Sequence, residues 1–388
     1  MPSFLEFFAG GGMARAGLGR EWRCLFANDF DHKKAASYAA NWGGSTLHIG
    51  DVAKVAPSQI DGAADLAWAS FPCQDLSLAG GGAGLKGERS GTFWPFWELM
   101  GKLHAEGRGP NLIALENVCG TLASHGGRDF AAIGEAFASR GYRFGALVVD
   151  AALFVPQSRP RLFIIGVKDG LVIPEALCSD EPVGRFHTKQ LVNAQAKLSA
   201  EVAAKWIWWN LPVPRTRKVK FVDLLDNPAG SDGWHTPAET KSLLAMMSPI
   251  NMEKVRKAQA SGEMTVGCVY KRTRRNAQDD KVQRAEVRFD GISGCLRTPA
   301  GGSSRQVIVI VDGKTVRSRL ITARETARLM GLKDTYCLPQ SYNDAYHLTG
   351  DGVAVPVVRH IAKNLLEPIV SANAVDQADL VDLMAEAA

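Results

Sequence analysis

Six short apolar runs recur through the first 170 residues: FLEFFA, CLFAND, LAWASF, LIALEN, ALVVDA and RLFIIGV. Between several of them lie stretches with helical spacing, such as HKKAASYAANW and FAAIGEAFASRGY. Strands alternating with helices pack as a mostly parallel sheet covered by helices on both faces, an α/β fold, and ligands then bind beyond the carboxyl ends of the strands. Functional motifs are therefore expected just after strands. The chain has 388 residues, which suggests two domains or one α/β domain carrying an insertion. No apolar run approaches the ~20 residues a membrane-spanning helix needs. The start, MPSFLEFFAGGG, lacks a basic region and holds Glu6 inside its apolar stretch, unlike a signal peptide. A cytoplasmic enzyme is expected, with no membrane partner.

From about residue 172 the alternation gives way to irregular segments rich in Pro, Trp, Lys and Arg: KWIWWNLPVPRTRKVK, NPAGSDGWHTP, YKRTRRNAQDDK and CLRTPAGGSSRQ. This reads as an inserted domain over 172–305, between a first part at 1–171 and a returning part at 306–370. Charge supports the division. Residues 1–170 hold 16 basic and 16 acidic side chains, whereas 205–305 hold 18 against 10, net +8. A concentrated basic block suits a phosphate backbone, since each neutralised phosphate releases counterions; a solvated basic face is the alternative. Order returns with TVRSRLITARETARLMGL, where Thr322 and Glu325 have the spacing of a capping box. A last helix is expected at roughly 358–366. The tail, 371–388, is acidic and Ala-rich, a frayed helix or disordered. The cysteines, at 24, 73, 119, 178, 268, 295 and 337, include no C-x-x-C pair, and no two histidines are four apart. That gives neither a metal site nor a disulfide framework, so reduced thiols are expected, at most one of them reactive.

The strand ends carry the candidate chemistry. FLEFFAGGG runs straight into glycines 10, 11 and 12 and then a helix, so backbone can approach a ligand there; a plain tight turn is the alternative, because the spacing is not G-x-G-x-x-G. The second strand ends in Asn28 and Asp29, and an acid there can accept the hydroxyls of a ribose. The third ends near Gly50 and Asp51, a second polar group for a nucleoside. Each alone reads as a loop carboxylate; together they favour a nucleoside cofactor. The fourth strand enters Phe71-Pro72-Cys73-Gln74 ahead of the glycine-rich DLSLAGGGAGLKGERSGT. A thiol at a strand end before such a loop is a nucleophile candidate, although an isolated cysteine is more often an inert core residue. The fifth ends in Glu116-Asn117-Val118, where burial would raise the carboxyl pKa and let it donate a proton. Arg159 and Arg161, two apart, are expected on one face; a structural salt bridge and a surface pair are the bland readings.

FAGGG, PCQ, ENV, Q-x-R-x-R, RLITARETARLMG and GDGVAVPV occur in the order and at the spacings of the DNA (cytosine-5) methyltransferases, which the chain resembles over essentially all of its catalytic part. The resemblance implies a Rossmann-like S-adenosylmethionine-dependent methyltransferase domain with a small inserted target-recognition domain, of bacterial or phage type. It implies S-adenosyl-L-methionine held by Phe8, Ala9, Gly10 and Gly12, with Asn28 and Asp29 at the ribose, Asp51 and Val52 at the adenine, and Pro72, Asp351 and Val353 completing the site. Cys73 would be the nucleophile. Carbon 5 of cytosine is too weak to take a methyl group until a thiolate has added at C6, and that thiolate later leaves. Glu116 would hold N3 and the exocyclic amine, Arg161 would bind O2, and Arg159 would support them or tune Cys73. The target base must be flipped from its duplex, and closure of the 74–92 loop would hold it. Gln74, Ser77 and Arg89 in that loop are further DNA-contact candidates.

Two positions depart from the family pattern. Asp351 stands where Asn is usual, and Asp29 replaces the commoner Glu. For DNA contact the basic segments offer Lys271, Arg272, Arg274 and Arg275, the first segment expected on phosphates, and Ser303, Ser304 and Arg305. The expected partner is double-stranded DNA, read by a monomer acting alone or beside a cognate restriction endonuclease. The tRNA-acting branch of the family usually has a small recognition region, so 134 inserted positions favour duplex DNA. An inactive DNA-binding homologue is disfavoured by intact Cys73, Glu116 and Arg161, and a thiol enzyme acting on a small substrate would leave the basic insertion without a purpose.

Overall fold

The computed structural model describes residues 1–72, 90–226, 233–275, 278–298 and 305–374, which form two compact units. Of the described residues the first comprises those in 1–150, 160–215 and 353–374; the second comprises those in 151–159 and 216–352.

A seven-stranded sheet organises the first unit. Its strands are β1 (Ser3–Phe7), β2 (Arg23–Asp29), β3 (Leu47–Ile49), β4 (Leu66–Ala69), β5 (Leu112–Asn117), β6 (Tyr142–Asp150) and β7 (Pro160–Lys168). The order is β3-β2-β1-β4-β5-β7-β6. Every residue of β1, β4 and β5 is buried, Glu6, Glu116 and Asn117 among them, as strands covered on both faces should be. Helices α1 (Met13–Leu18), α2 (His32–Trp42), α3 (Phe93–Ala105) and α4 (Arg128–Ser139) join them. Asp31 starts α2, its carboxylate accepting from the amides of Lys33 and Lys34. Phe93, Phe96 and Trp97 of α3 pack with Phe71, Phe137 and Tyr142 in one core.

The pairings from β3 through β5 are parallel, but β7 runs antiparallel to both β5 and β6. Only nine residues separate β6 from β7, too few for the crossover a parallel return requires. The reversed strand therefore begins where β5 ends.

The unit boundaries differ from those read in the sequence. Loss of alternation at 172 does not begin the second unit. Residues 172–215 form β8 (Cys178–Ser179), α5 (Lys189–Gln195), α6 (Ala200–Ala203) and β9 (Trp208–Trp209), and they cover β6, the exposed edge of the sheet. The Phe144 amide donates to the Lys205 carbonyl at 2.9 Å, and the Ile207 amide to the Phe144 carbonyl at 2.7 Å. Trp206 meets the Phe144 ring edge-on.

The second unit carries α7 (Pro237–Ala245) and α8 (Pro249–Ala260) against an antiparallel sheet of β10 (Thr265–Arg275), β11 (Lys281–Arg288), β12 (Val307–Asp312) and β13 (Thr315–Leu320), in the order β11-β10-β12-β13. Leu243, Met247, Val255, Val269, Ala285, Val287 and Val309 form its core. Residue 305 is thus no boundary, because β12 pairs with β10 across it, Val269 opposite Val307. The KRTRR run, read as irregular, is the end of strand β10. Next come α9 (Ala323–Leu329), closed by the expected Thr322–Glu325 capping box, and α10 (Tyr342–Asp351). Glu325 also forms a buried ion pair with Arg319 at 2.6 Å.

The last segment of the first unit is α11 (Val355–Ile361) and the helical turns that follow it. It starts three residues before the expected position because Pro356 is accommodated in a first turn. α11 packs on α1: a Cβ at Gly17 would lie 2.4 Å from that of Val358, and Arg359 Nη1 donates to the Leu18 carbonyl at 2.6 Å. Trp22 Nε1 donates to Glu367 Oε1 at 3.1 Å. Among the described residues no helix is long and apolar enough to cross a membrane.

Candidate active site

Beyond β1 the chain turns sharply, with positive φ at Phe8 (57°), Gly10 (54°) and Gly12 (75°). The two glycines serve different ends. A side chain at Gly12 would strike Trp42, whose Nε1 would lie 2.4 Å from the added Cβ, and that indole already donates to the Gly11 carbonyl at 3.0 Å. A Cβ at Gly10 would meet nothing within 4 Å. The turn is therefore packed on one side and open on the other, which is the form a backbone cradle for a ligand takes.

Asp29 fixes this turn. One carboxylate oxygen accepts the Gly10 amide at 2.7 Å and the other the Asp31 amide at 2.8 Å. Burial pushes its carboxyl above the ordinary aspartate value, against the pull of those two amides. Each oxygen keeps a lone pair for a ribose hydroxyl. The amide nitrogen of Asn28 donates to the carbonyls of His48 and Gly50 at 3.1 and 2.9 Å and so ties the ends of β2 and β3 together. Asp51 is exposed and accepts the Ala53 amide at 3.0 Å, and Val52 behind it is buried. The sequence reading passed over Phe30, 72% exposed directly after Asp29. A flat ring placed in solvent beside a buried acid with free lone pairs suits the face of a purine. Its signal was an aromatic residue with no periodicity to bury it.

At the end of β5, Glu116 is buried and pairs with Arg161, Nε to Oε1 at 3.2 Å. Reversal of β7 brings them together, since the first residues of β7 lie beside the last of β5. Asn117, also passed over, locks this corner. Its amide nitrogen donates to the Phe71 carbonyl at 3.1 Å, and its oxygen accepts the Val118 amide at 2.8 Å. The carboxyl end of β5 is thereby tied to the segment leading into Cys73. Cys73, Gln74, Ser77 and Arg89 lie outside the described residues, as do Ser303 and Ser304. Pro72, the last described residue before Cys73, is half-buried. The other thiols in question are poor nucleophiles: burial raises those of Cys24, Cys119 and Cys178, and pushes Cys268 up to about 12.

Arg159 and Arg161 fall in different units. Strand alternation begins only at Pro160, so Arg159 falls outside it and in the second unit. It is 2% exposed, and its guanidinium donates to the carbonyls of Leu296, Gly350 and Gly352 at 3.1, 2.8 and 2.7 Å. Such a side chain staples three backbone segments. Asp351, exposed at the end of α10, accepts the hydroxyl of Thr298. Val353 is buried ahead of α11, and Ala9 is buried within the glycine turn. Arg305 donates to the Asn343 side chain and lies over the Tyr342 ring, 5.6 Å from its centroid. Lys271, Arg272, Arg274 and Arg275 project from β10, where Arg272 and Arg274 pair with Glu286 and Arg275 with Asp279.

A family model described as C-5 cytosine-specific DNA methylase matches residues 2–367. The sequence is 26% identical over 385 residues to the type II methyltransferase M.HpaII of Haemophilus parainfluenzae, covering 95% of this chain and 90% of that protein. It is 25% identical to M.DsaV of Dactylococcopsis salina, covering 94% and 86%. It is also 25% identical to the orphan methyltransferase M.SPBetaI of Bacillus phage SPbeta, covering 84% and 78%. Among solved structures, S. pombe Dnmt2 methyltransferase aligns with a TM-score of 0.59 at 16% identity, covering 95% of this chain and 99% of that one, a likeness of fold.

Proposed function

The chain belongs to the C-5 cytosine-specific DNA methylase family and is a DNA (cytosine-5-)-methyltransferase; from that premise we propose that Cys73, Glu116 and Arg161 carry the reaction and that the Gly10–Gly12 turn, Asp29 and Phe30 bind the methyl donor. Enzymes of this family use S-adenosyl-L-methionine, and the residues present fit it. Gly10 leaves open backbone for its amino-acid portion, Asp29 retains acceptor capacity for the ribose, and Phe30 and Val52 offer apolar surface to the adenine. When bound, it supplies an electrophilic methyl group on a sulfonium.

The protein's own part begins with a cytosine turned out of the duplex. Glu116 accepts from the exocyclic amine with one oxygen and, taking up a proton as the base enters, donates from the other to N3, while Arg161 donates to O2. Their ion pair fixes both side chains before the base arrives, which lowers the ordering cost of binding. The thiolate of Cys73 adds to C6, moving the ring's electron pair to C5, where the methyl is received. Loss of the C5 proton to solvent and expulsion of the Cys73 thiolate then restore the aromatic ring. We place this activity on double-stranded DNA, with a cytoplasmic monomer acting alone or beside a restriction endonuclease. The names of its relatives include both type II and orphan methyltransferases.

The observation carrying this reading is the 3.2 Å Glu116–Arg161 pair at a corner tied by Asn117 to the chain entering Cys73. Duplex DNA containing 5-fluorocytosine tests it, because fluorine at C5 blocks the final elimination. In the presence of the methyl donor the native enzyme should form a covalent complex resistant to denaturant, and Cys73→Ser should form none and lose turnover. Substantial turnover by Cys73→Ser would sink the covalent route. Bisulfite sequencing of DNA from expressing cells would then give the target site.

A further inference from the structure

The ribbon formed by β10 and β11 carries its arginines in an arrangement that does not serve the ribbon's own stability. Alternation puts Tyr270, Arg272 and Arg274 on one face, and their cross-strand partners are Glu286, Arg284 and Val282. Arg272 and Arg284 are thus directly opposite each other, with Cβ atoms roughly 4.5–5.5 Å apart in such a pair, and like charges so placed destabilise an antiparallel sheet. One carboxylate, Glu286, serves this face. Its oxygens take Arg272 Nε at 3.3 Å and both Nε and Nη2 of Arg274, at 3.0 and 2.6 Å. Arg284 is exposed and has no ion pair or side-chain hydrogen bond among the described residues. The guanidinium of Arg272 also lies 5.7 Å from the centre of the Tyr270 ring.

Two guanidiniums oriented by a shared acid, with a third left without one, conflict locally with strand pairing, and such conflicts mark functional surfaces. A two-stranded ribbon fits the major groove of B-DNA, and a row of guanidiniums complements its phosphates. We infer that this face of the ribbon is a DNA-docking surface on which Arg284 binds a backbone phosphate, while Glu286 restrains Arg272 and Arg274 and so limits binding to non-cognate duplex. The inference rests on the DNA methyltransferase reading and adds to it one residue for affinity and one for discrimination. Relief of the Arg272–Arg284 repulsion on docking works in the same direction.

The experiment measures duplex affinity against salt concentration for the full chain, with cognate and non-cognate DNA, beside methyl transfer at saturating DNA. Arg284→Ala should weaken both duplexes alike and reduce the log–log salt slope by about 0.9, with turnover at saturation kept. Arg284→Lys, which keeps the charge, should restore the slope. Glu286→Gln should tighten non-cognate binding and shrink the cognate preference severalfold. An unchanged slope in Arg284→Ala, with normal methylation by the native enzyme, would overturn this inference alone. Failure of the native enzyme to methylate any duplex would instead overturn the reading beneath it.

Discussion

Glu6 is a carboxyl the proposed chemistry does not use, 1% exposed on β1 and two residues before the glycine turn. Oε1 accepts the Arg15 amide at 3.2 Å, while Oε2 receives no hydrogen bond. Burial, only partly offset by the Arg15 amide and charge, pushes its pKa from 4.5 up to about 8. A carboxyl raised on folding binds its proton more tightly in the native state, so its penalty is absent below about pH 4.5 and grows until about pH 8. Glu6→Gln, which keeps the acceptor for Arg15, should therefore gain stability over the native protein across that window, at up to about 1.4 kcal/mol per pH unit. Denaturant titrations at several pH values check this; a gap between the two proteins that does not change with pH would refute it. At this scale the sequence showed which strand-end residues to examine but not how each is engaged. Asp29 and Glu116 lie where alternation puts them. Arg159 does not, because a pattern of two assumes a strand, and the strand starts one residue later. Arg284 escaped notice because its meaning lies in the residue across the ribbon.

The glycine turn is an element whose two halves make separable predictions. Gly12→Ala meets both a positive φ and the Trp42 ring, so it should cost stability by more than the ~1–3 kcal/mol of a strained backbone alone. Gly10→Ala carries the same positive-φ cost but meets no atom, so it should lose less stability than Gly12→Ala and, in addition, donor affinity, since its methyl occupies the space a ligand would use. Thermal melts and calorimetric titration with the donor separate the two; equal loss of both in both variants would contradict the division. Elements were largely legible. The expected strands and the helix at 32–42 stand as read because their periodicity is strong, and the Thr322–Glu325 box named its helix from two residues. Direction was harder. The antiparallel β7 is encoded in the shortness of the link before it, and a pattern of apolar residues carries no orientation. The four-stranded sheet of the second unit was missed because its outer ribbon is polar on its exposed face, so KRTRR looks like loop when judged by hydropathy alone.

Across the whole molecule the division into units was the least legible feature, since both boundaries were drawn where composition changes and pairing does not respect composition. Residues 172–215 belong with β6 through backbone hydrogen bonds that any sequence could make, and 307–320 belong with β10 for the same reason. α11 meets α1 across 341 positions of the chain, Arg359 reaching Leu18, and just beyond both helices Glu367 reaches Trp22 across 345. A ribosome making 5–20 residues per second needs on the order of tens of seconds to pass from one to the other. Throughout that time the Gly17 face of α1 lacks the cover that α11 gives it, a few residues beyond the turn we propose for the methyl donor. A chain stopped after Gly352 should bind the donor at least tenfold more weakly than the full chain in calorimetric titration, and undiminished binding would show that α1 needs no cover.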